Sequence, residues 1–187
     1  MTMASDLPFP LSGTTLITGP SNVGKTRLTA RAMEAWVAER GSDGVVVLDF
    51  APVVERDGEV LGGRLSRFAA VPDGAWHGVL DAHAPRADGE DEAAARRLAA
   101  DNADRAAALV DEAPADPVAA FVNDATVPFQ HERGDPDRLA DYYEGATAVL
   151  NAFEGDELGT TDPVSRAETA ALDRLRERVD RERRLGD

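Results

Sequence analysis

The stretch Thr14-Thr15-Leu16-Ile17-Thr18, followed directly by Gly19-Pro20-Ser21-Asn22-Val23-Gly24-Lys25-Thr26, limits what this chain can become more than any other. The octapeptide fits G-x-x-x-x-G-K-[ST] at every position, and it lies between a short β-branched run and a helix-forming run, Arg27 to Arg40. Gly19 and Gly24 permit backbone conformations closed to residues with a Cβ, so successive N–H groups can converge on one point. The first turn of the following helix adds N–H groups with no intrahelical partner and the positive end of its dipole. Such a loop is a cradle for phosphate oxygens. Lys25 is the sole lysine among 20 basic residues, the rest being arginine. A composition that all but excludes lysine keeps one where a planar guanidinium fits poorly.

On these residues the chain resembles the P-loop NTPase superfamily, specifically over residues 14–40. The resemblance implies a nucleoside triphosphate bound through Gly19, Pro20, Ser21, Asn22, Val23, Gly24, Lys25, Thr26 and Arg27, with Lys25 on the β- and γ-phosphates and Thr26 on Mg²⁺. It also implies a carboxylate near the metal at the end of an apolar strand. Two aspartates fit: Asp49, which closes Val45 to Leu48, and Asp124, which closes Val118 to Asn123. In many members the strand after the loop's helix lies away from the loop strand and a later strand inserts beside it. That favours Asp124 as the metal acid and leaves Asp49 to face a second substrate or an attacking water. Arg86, just past a strand end, is the arginine placed to neutralise a transferred phosphoryl, the plainer alternative being a surface pair with Asp81 or Asp88. Guanine-reading members commonly use an [NT]-K-x-D loop, which a chain with one lysine already in use cannot build. ATP with Mg²⁺ is therefore expected ahead of GTP. The spacing of Val45 to Pro52, Gly62-Gly63, Ala84-Pro85-Arg86 and Asn123-Asp124-Ala125-Thr126 resembles small archaeal P-loop proteins, and the strand order is similar to adenosylcobinamide kinases.

A length of 187 residues suits one domain, 1–187. The formal charge of −15 would repel nucleic acid and anionic membranes in ordinary cytoplasm. An acidic, lysine-poor, Ala- and Asp-rich chain also resembles proteins of extreme halophiles, and in molar salt, with a Debye length of about 3 Å, net charge steers little. The absence of cysteine excludes disulfides, thiolate catalysis and Cys-based zinc sites. Met1 to Leu11 carries Asp6, Pro8 and Pro10 without a basic stretch before an apolar run, so no secretory signal is expected. No apolar window approaches the roughly 20 residues of a membrane span. A soluble, cytoplasmic protein is the expectation. His77, His83 and His131 show no metal-ligand spacing.

In order, the chain reads as an irregular lead-in (1–12), a strand at Thr14 to Thr18, the Arg27–Arg40 helix and a buried strand at Val45 to Phe50. A long loop over 51–75 follows, with a hairpin through Glu59-Val60-Leu61 and Arg64-Leu65. Its Gly62-Gly63-Arg64 and Arg67 suit either a flap over a bound phosphate or a solvated loop with local ion pairs. Trp76 to Ala82 reads as a third strand, Glu90 to Ala113 as a helix, and Pro117 to Asp124 as a second buried strand. Asp135-Pro136 starts a helix carrying Leu139, Tyr142, Tyr143, Ala146, Val149, Leu150 and Phe153 at helical spacing. Ser165 to Glu168 fits a capping box for a final helix over 163–185. Strands alternating with helices give an α/β fold of the three-layer P-loop type, a mostly parallel sheet of three to five strands with helices on both faces.

Three functional classes follow. The first is a small ATP-dependent kinase acting on a metabolite held between Asp49, the 51–75 loop and the nucleotide. The second is an ATP hydrolase or switch that passes a conformational change to a protein partner through the charged C-terminal helix. The third is a nucleotide-binding protein without catalysis. A protein partner or a homo-oligomer is compatible with the sequence.

Overall fold

Val45–Asp49 and Ala119–Asn123 are buried at every position, which requires strands covered on both faces. The computed structural model describes residues 6–61 and 63–186 and places both strands inside one six-stranded sheet. Its strands are β1 (Thr14–Gly19), β2 (Val45–Asp49), β5 (Trp76–Val79), β6 (Ala119–Asn123), β7 (Thr147–Phe153) and β8 (Arg181–Arg184), in the order β5-β2-β6-β7-β1-β8. Every neighbouring pair is parallel. A separate antiparallel hairpin joins β3 (Val54–Arg56) to β4 (Glu59–Leu61) through Asp57 and Gly58, both at positive φ, as a two-residue turn between twisted strands requires.

Alternate residues of the strands feed two cores, one on each face. Leu16, Val46, Leu48, Val122 and Leu150 pack towards α3 (Glu92–Glu112), α4 (Pro136–Tyr142) and α5 (Pro163–Arg176). Ile17, Val45, Val47, Phe121 and Val149 pack towards Met33 and Trp36 of α1 (Lys25–Arg40). The short α2 (Pro85–Asp88) follows β5 in the chain and packs against α3. No helix among the described residues is long and apolar enough to cross a membrane.

Several expectations are corrected. The sheet has six strands, not three to five. The helix begun at Asp135, whose side chain accepts from the Asp137 N–H at 3.0 Å, ends at Tyr142 instead of continuing to Phe153. Gly145, at φ 81, breaks the chain direction, and the next apolar run becomes β7, buried between β6 and β1. That run satisfies helical spacing only because nearly all its residues are apolar, and a continuous apolar run suits a central strand equally well.

The final helix likewise stops at Arg176, and Arg181–Arg184 forms an edge strand beside β1. Polar contacts hold it there. Thr18 donates to Glu182 at 2.8 Å, Arg176 donates to both oxygens of Glu182, and Asp180 accepts from the Thr14 N–H at 2.8 Å. A charged edge strand also discourages pairing with other chains. The N-cap of α5 is Asp162, accepting from the Ser165 N–H at 2.9 Å, so the expected capping box does not form.

The expected hairpin at Glu59–Leu61 pairs with Val54–Arg56, not with Arg64-Leu65. The third strand is limited to Trp76–Val79. Met1 to Ser5 of the lead-in and Gly62 of the loop lie outside the described residues.

Candidate functional site

Six parallel strands bring their C-terminal ends to one edge, where the loops after β1, β2, β5, β6 and β7 meet around a cavity of about 1050 Å³. Ser21 to Arg27 forms one wall. Asn22 (φ 59) and Gly24 (φ 96) are left-handed there, and α1 begins at Lys25 with no side chain capping its first turn. Its leading N–H groups thus face the cavity edge without side-chain caps. Gly19 has a second reason to be glycine: at φ 150, an added Cβ would lie 2.5 Å from the Leu185 carbonyl oxygen.

Lys25 is 7% exposed, and its ammonium donates to the Pro20 carbonyl. Burial lowers its pKa, against which the Asp124 and Glu157 carboxylates act. Glu157 accepts the Ser21 N–H at 2.8 Å, and this bond is the chief cause of its lowered pKa. An acidic side chain thus occupies one of the loop's own anion donors. Thr26 donates to Asn123 Oδ1 at 3.0 Å, which turns the hydroxyl's lone pairs away from that contact and leaves them able to meet a cation.

Behind the loop lies a buried polar network. Asn123 Nδ2 donates to Asp49 Oδ1 (2.9 Å) and to the Gly63 carbonyl (3.0 Å), while its Oδ1 accepts from Thr26 and from Asn151 (2.9 Å). Asn151 also donates to Thr29 (2.9 Å), and its oxygen accepts the Asp124 N–H (3.0 Å). This network ties β2, β6, β7 and α1 together directly beneath the cavity.

The sequence-derived residues are therefore distributed unequally. Lys25, Thr26, Arg27, Arg86 and Asp124 line the cavity. Asp124 sits at φ 52 just past β6, and its pKa is pushed up to about 7, first by burial and then by the Glu168 and Asp49 carboxylates, with Lys25 pulling the other way. The strand beside β1 on the sheet side is β7, so Asp124 stands one strand further out.

Asp49 is 0% exposed, with Oδ1 accepting from Asn123 and the Ala51 N–H and Oδ2 from the Leu65 N–H at 2.7 Å. It anchors the loop after β2 and is not on the cavity wall. Arg86 pairs with Glu168 at 2.6 Å and donates to Ser165 at 3.0 Å, not with Asp81 or Asp88. Arg27 is exposed, its guanidinium 5.4 Å from the Phe68 ring centre. In the loop after β2, Arg64 reaches Asp81 at 3.7 Å, whereas Arg67 lies on the cavity wall.

Sequence reasoning missed Thr29, Asn151, Glu157, Glu168 and Gln130. Of these only Asn151 carries a signal, as the one polar residue within Ala148 to Phe153. Among the described residues no three His, Cys, Asp or Glu side chains cluster as a ready-made metal cage. A cation held by one hydroxyl, one carboxylate and a ligand's own oxygens needs no such cage. No family model and no curated protein matches the chain.

Proposed function

We propose that the chain is a Mg-ATP-binding member of the P-loop NTPase superfamily that transfers the γ-phosphoryl group to a small acceptor. The observation that carries this reading is the meeting of Lys25, Thr26 and Asp124 around one cavity, at the N-terminus of α1 and at the C-terminal edge of a parallel sheet. In this reading the N–H groups of residues 21–26 and the Lys25 ammonium bind the β- and γ-phosphates, and Glu157 gives up the Ser21 N–H as they enter. Thr26 and Asp124 would hold Mg²⁺, which would neutralise charge on the phosphates. Asn123, by accepting from Thr26, orients that hydroxyl.

A cavity of about 1050 Å³ has room for more than a triphosphate, which favours transfer to a second molecule. The apolar stripe of α5, Val164, Ala171, Leu172 and Leu175, is buried, and none of the exposed large apolar residues lies on that helix. A partner-docking face there, the mark of a coupled switch, thus lacks support.

Thermal unfolding of wild type and Lys25→Ala in high-salt buffer, with Mg-ATP, Mg-GTP or neither, tests the reading. A ligand at 100 times its dissociation constant adds about 2.7 kcal/mol, a shift of several degrees. The shift is expected with Mg-ATP and is lost in the variant. Wild type that shifts with neither nucleotide refutes the reading. ADP formation that requires an acceptor and yields no free phosphate marks a kinase, whereas release of free phosphate without an acceptor marks a hydrolase.

A further inference from the structure

The segment after β2 gives the cavity Pro52, Val54, Val60, Arg67 and Phe68, all apolar except the arginine. The acids of that segment, Glu55, Asp57 and Glu59, are not among the residues that line the cavity. This wall is fixed from beneath by buried groups. The Leu65 N–H donates to Asp49 at 2.7 Å, the Gly63 carbonyl accepts from Asn123 at 3.0 Å, and the single turn Leu65–Arg67 is closed by the Phe68 N–H on the Leu65 carbonyl at 2.9 Å. Gly63, at φ 129, leaves the space that the Arg67 side chain fills, since an added Cβ would lie 2.9 Å from Arg67 Cδ. Arg67 and Phe68 thus stand on a platform that the core of the protein sets.

Arg27, from the first turn of α1, completes this corner. Its guanidinium lies 5.4 Å from the centre of the Phe68 ring and that of Arg67 lies 5.8 Å from it, so two cations gather on one aromatic side chain at the cavity. Like charges held together repel, a cost that an anion removes. Among the described residues Arg27 has no carboxylate partner. The cavity's carboxylates act elsewhere: Glu168 is bonded to Arg86 at 2.6 Å, Glu157 accepts the Ser21 N–H at 2.8 Å, and Asp124 lies past β6. A guanidinium presents a planar fork of N–H donors that matches carboxylate and phosphate oxygens. Beside the two arginines, Val60 and Phe68 are exposed although large and apolar, and offer contact to a carbon skeleton.

We propose that this corner is the acceptor subsite and that it takes an organic anion, its carboxylate or phosphate met by the Arg27 and Arg67 guanidiniums and its apolar body laid on Phe68, Val54 and Val60. The proposal rests on the phosphotransferase reading for its chemistry, though not for the binding itself. In the transfer, a hydroxyl oxygen of the acceptor forms a bond to the γ-phosphorus of the nucleoside triphosphate. The bond from that phosphorus to the β,γ-bridging oxygen breaks, its electron pair leaves with the nucleoside diphosphate, and the hydroxyl proton passes to bulk water.

The test uses matched compounds that differ in charge: thymidine monophosphate against thymidine, and 3-phenyllactate against 3-phenyl-1,2-propanediol. Each is titrated calorimetrically into the full chain under two conditions that keep the probe out of the glycine-rich loop: with the loop filled by Mg²⁺ and the β,γ-imido analogue of ATP, and in the Lys25→Ala variant without nucleotide. The charged member of at least one pair is expected to bind more tightly. Arg67→Gln and Arg27→Gln each weaken it by about tenfold, the value of one hydrogen bond to a charged group, and leave the uncharged member within about twofold. Arg67→Lys, which keeps the charge, restores part of the loss, and Phe68→Ala weakens both members alike. Equal or tighter binding of the uncharged members, no binding of either charged member in both conditions, or unchanged affinity in both Gln variants overturns the proposal. Arginine variants that lose affinity for Mg-ATP and not for the charged probe assign the two cations to the nucleotide's own phosphates, and overturn it too. Absence of a Mg-ATP shift in wild type, with anion binding intact in Lys25→Ala, removes the phosphotransferase reading alone.

Discussion

Asp124 makes stability depend on pH in a direction opposite to that of most folded carboxylates. Its pKa stands at about 7 against an ordinary value of 3.8. Between those values the folded chain keeps a proton that the unfolded chain has released, so the unfolded state gains relative to the folded one as pH rises. The burden is absent well below pH 4 and complete above pH 7. It amounts to about 4 kcal/mol, at roughly 1.4 kcal/mol for each pH unit of separation. Asparagine at the same position has no proton to lose and is free of the burden. Denaturant unfolding of wild type and Asp124→Asn, in high salt with a chelator present, should give curves that draw apart by about 2–3 kcal/mol between pH 5 and pH 8, with the variant the more stable at the alkaline end. Taking the difference between the two proteins cancels the titrating groups that do not feel Asp124; Lys25, Glu168 and Asp49 do feel it. Parallel curves across that range would refute the account of Asp124 as a carboxylate kept protonated by burial and by neighbouring acids.

Two further outcomes are expected. Asn123→Ala strips partners from Asp49, Gly63, Thr26 and Asn151 at once, and the buried groups left behind put its cost at about 3–4 kcal/mol in equilibrium unfolding. A loss below about 1 kcal/mol would show that the network relaxes freely around the gap. Glu157→Ala frees the Ser21 N–H and removes a negative charge from the loop's mouth, so Mg-ATP affinity measured by calorimetry should rise about fivefold, close to 1 kcal/mol of relieved repulsion. Weaker binding in that variant would instead make Glu157 part of the ligand's support.

What could be read from the chain, and what could not, divides along physical lines. β1, α1, β2 and β6 announce themselves because each is a pure pattern: a β-branched or apolar run with a sharp stop, or a helix opened by Gly24-Lys25 and closed by Gly41. β7 was legible only as apolar, since its residues satisfy two periodicities and the choice is made by the strands on either side. β8 was illegible as a strand: Arg-Glu-Arg-Arg is an ordinary helix end, and only long-range pairing with β1 and the Glu182 contacts make it extended. The same split runs through the site. Lys25 and Thr26 come from a local motif and meet on the cavity with Asp124, while Asp49, equally plausible at the end of its strand, is drawn inward by Asn123 and the Leu65 N–H. Arg86 met a partner on α5, 82 residues away, that no local spacing could have indicated.

The position of β1 between β7 and β8 bears on how the chain reaches this state. Its first strand closes against its last two, with Thr14 bonded to Asp180 at a separation of 166 residues. During synthesis, β1 and the glycine-rich loop emerge before β2, β5 and β6, yet they gain lateral neighbours only once β7 and β8 have been made. The loop's far flank is completed only when Leu185 and Gly186 settle against Gly19, Pro20 and Val23. Closure over such distances is slow compared with local helix formation. The loop that looks most autonomous in the sequence is therefore completed later than β2, β5 and β6, and its capture of a ligand would report that β7 and β8 have docked on β1.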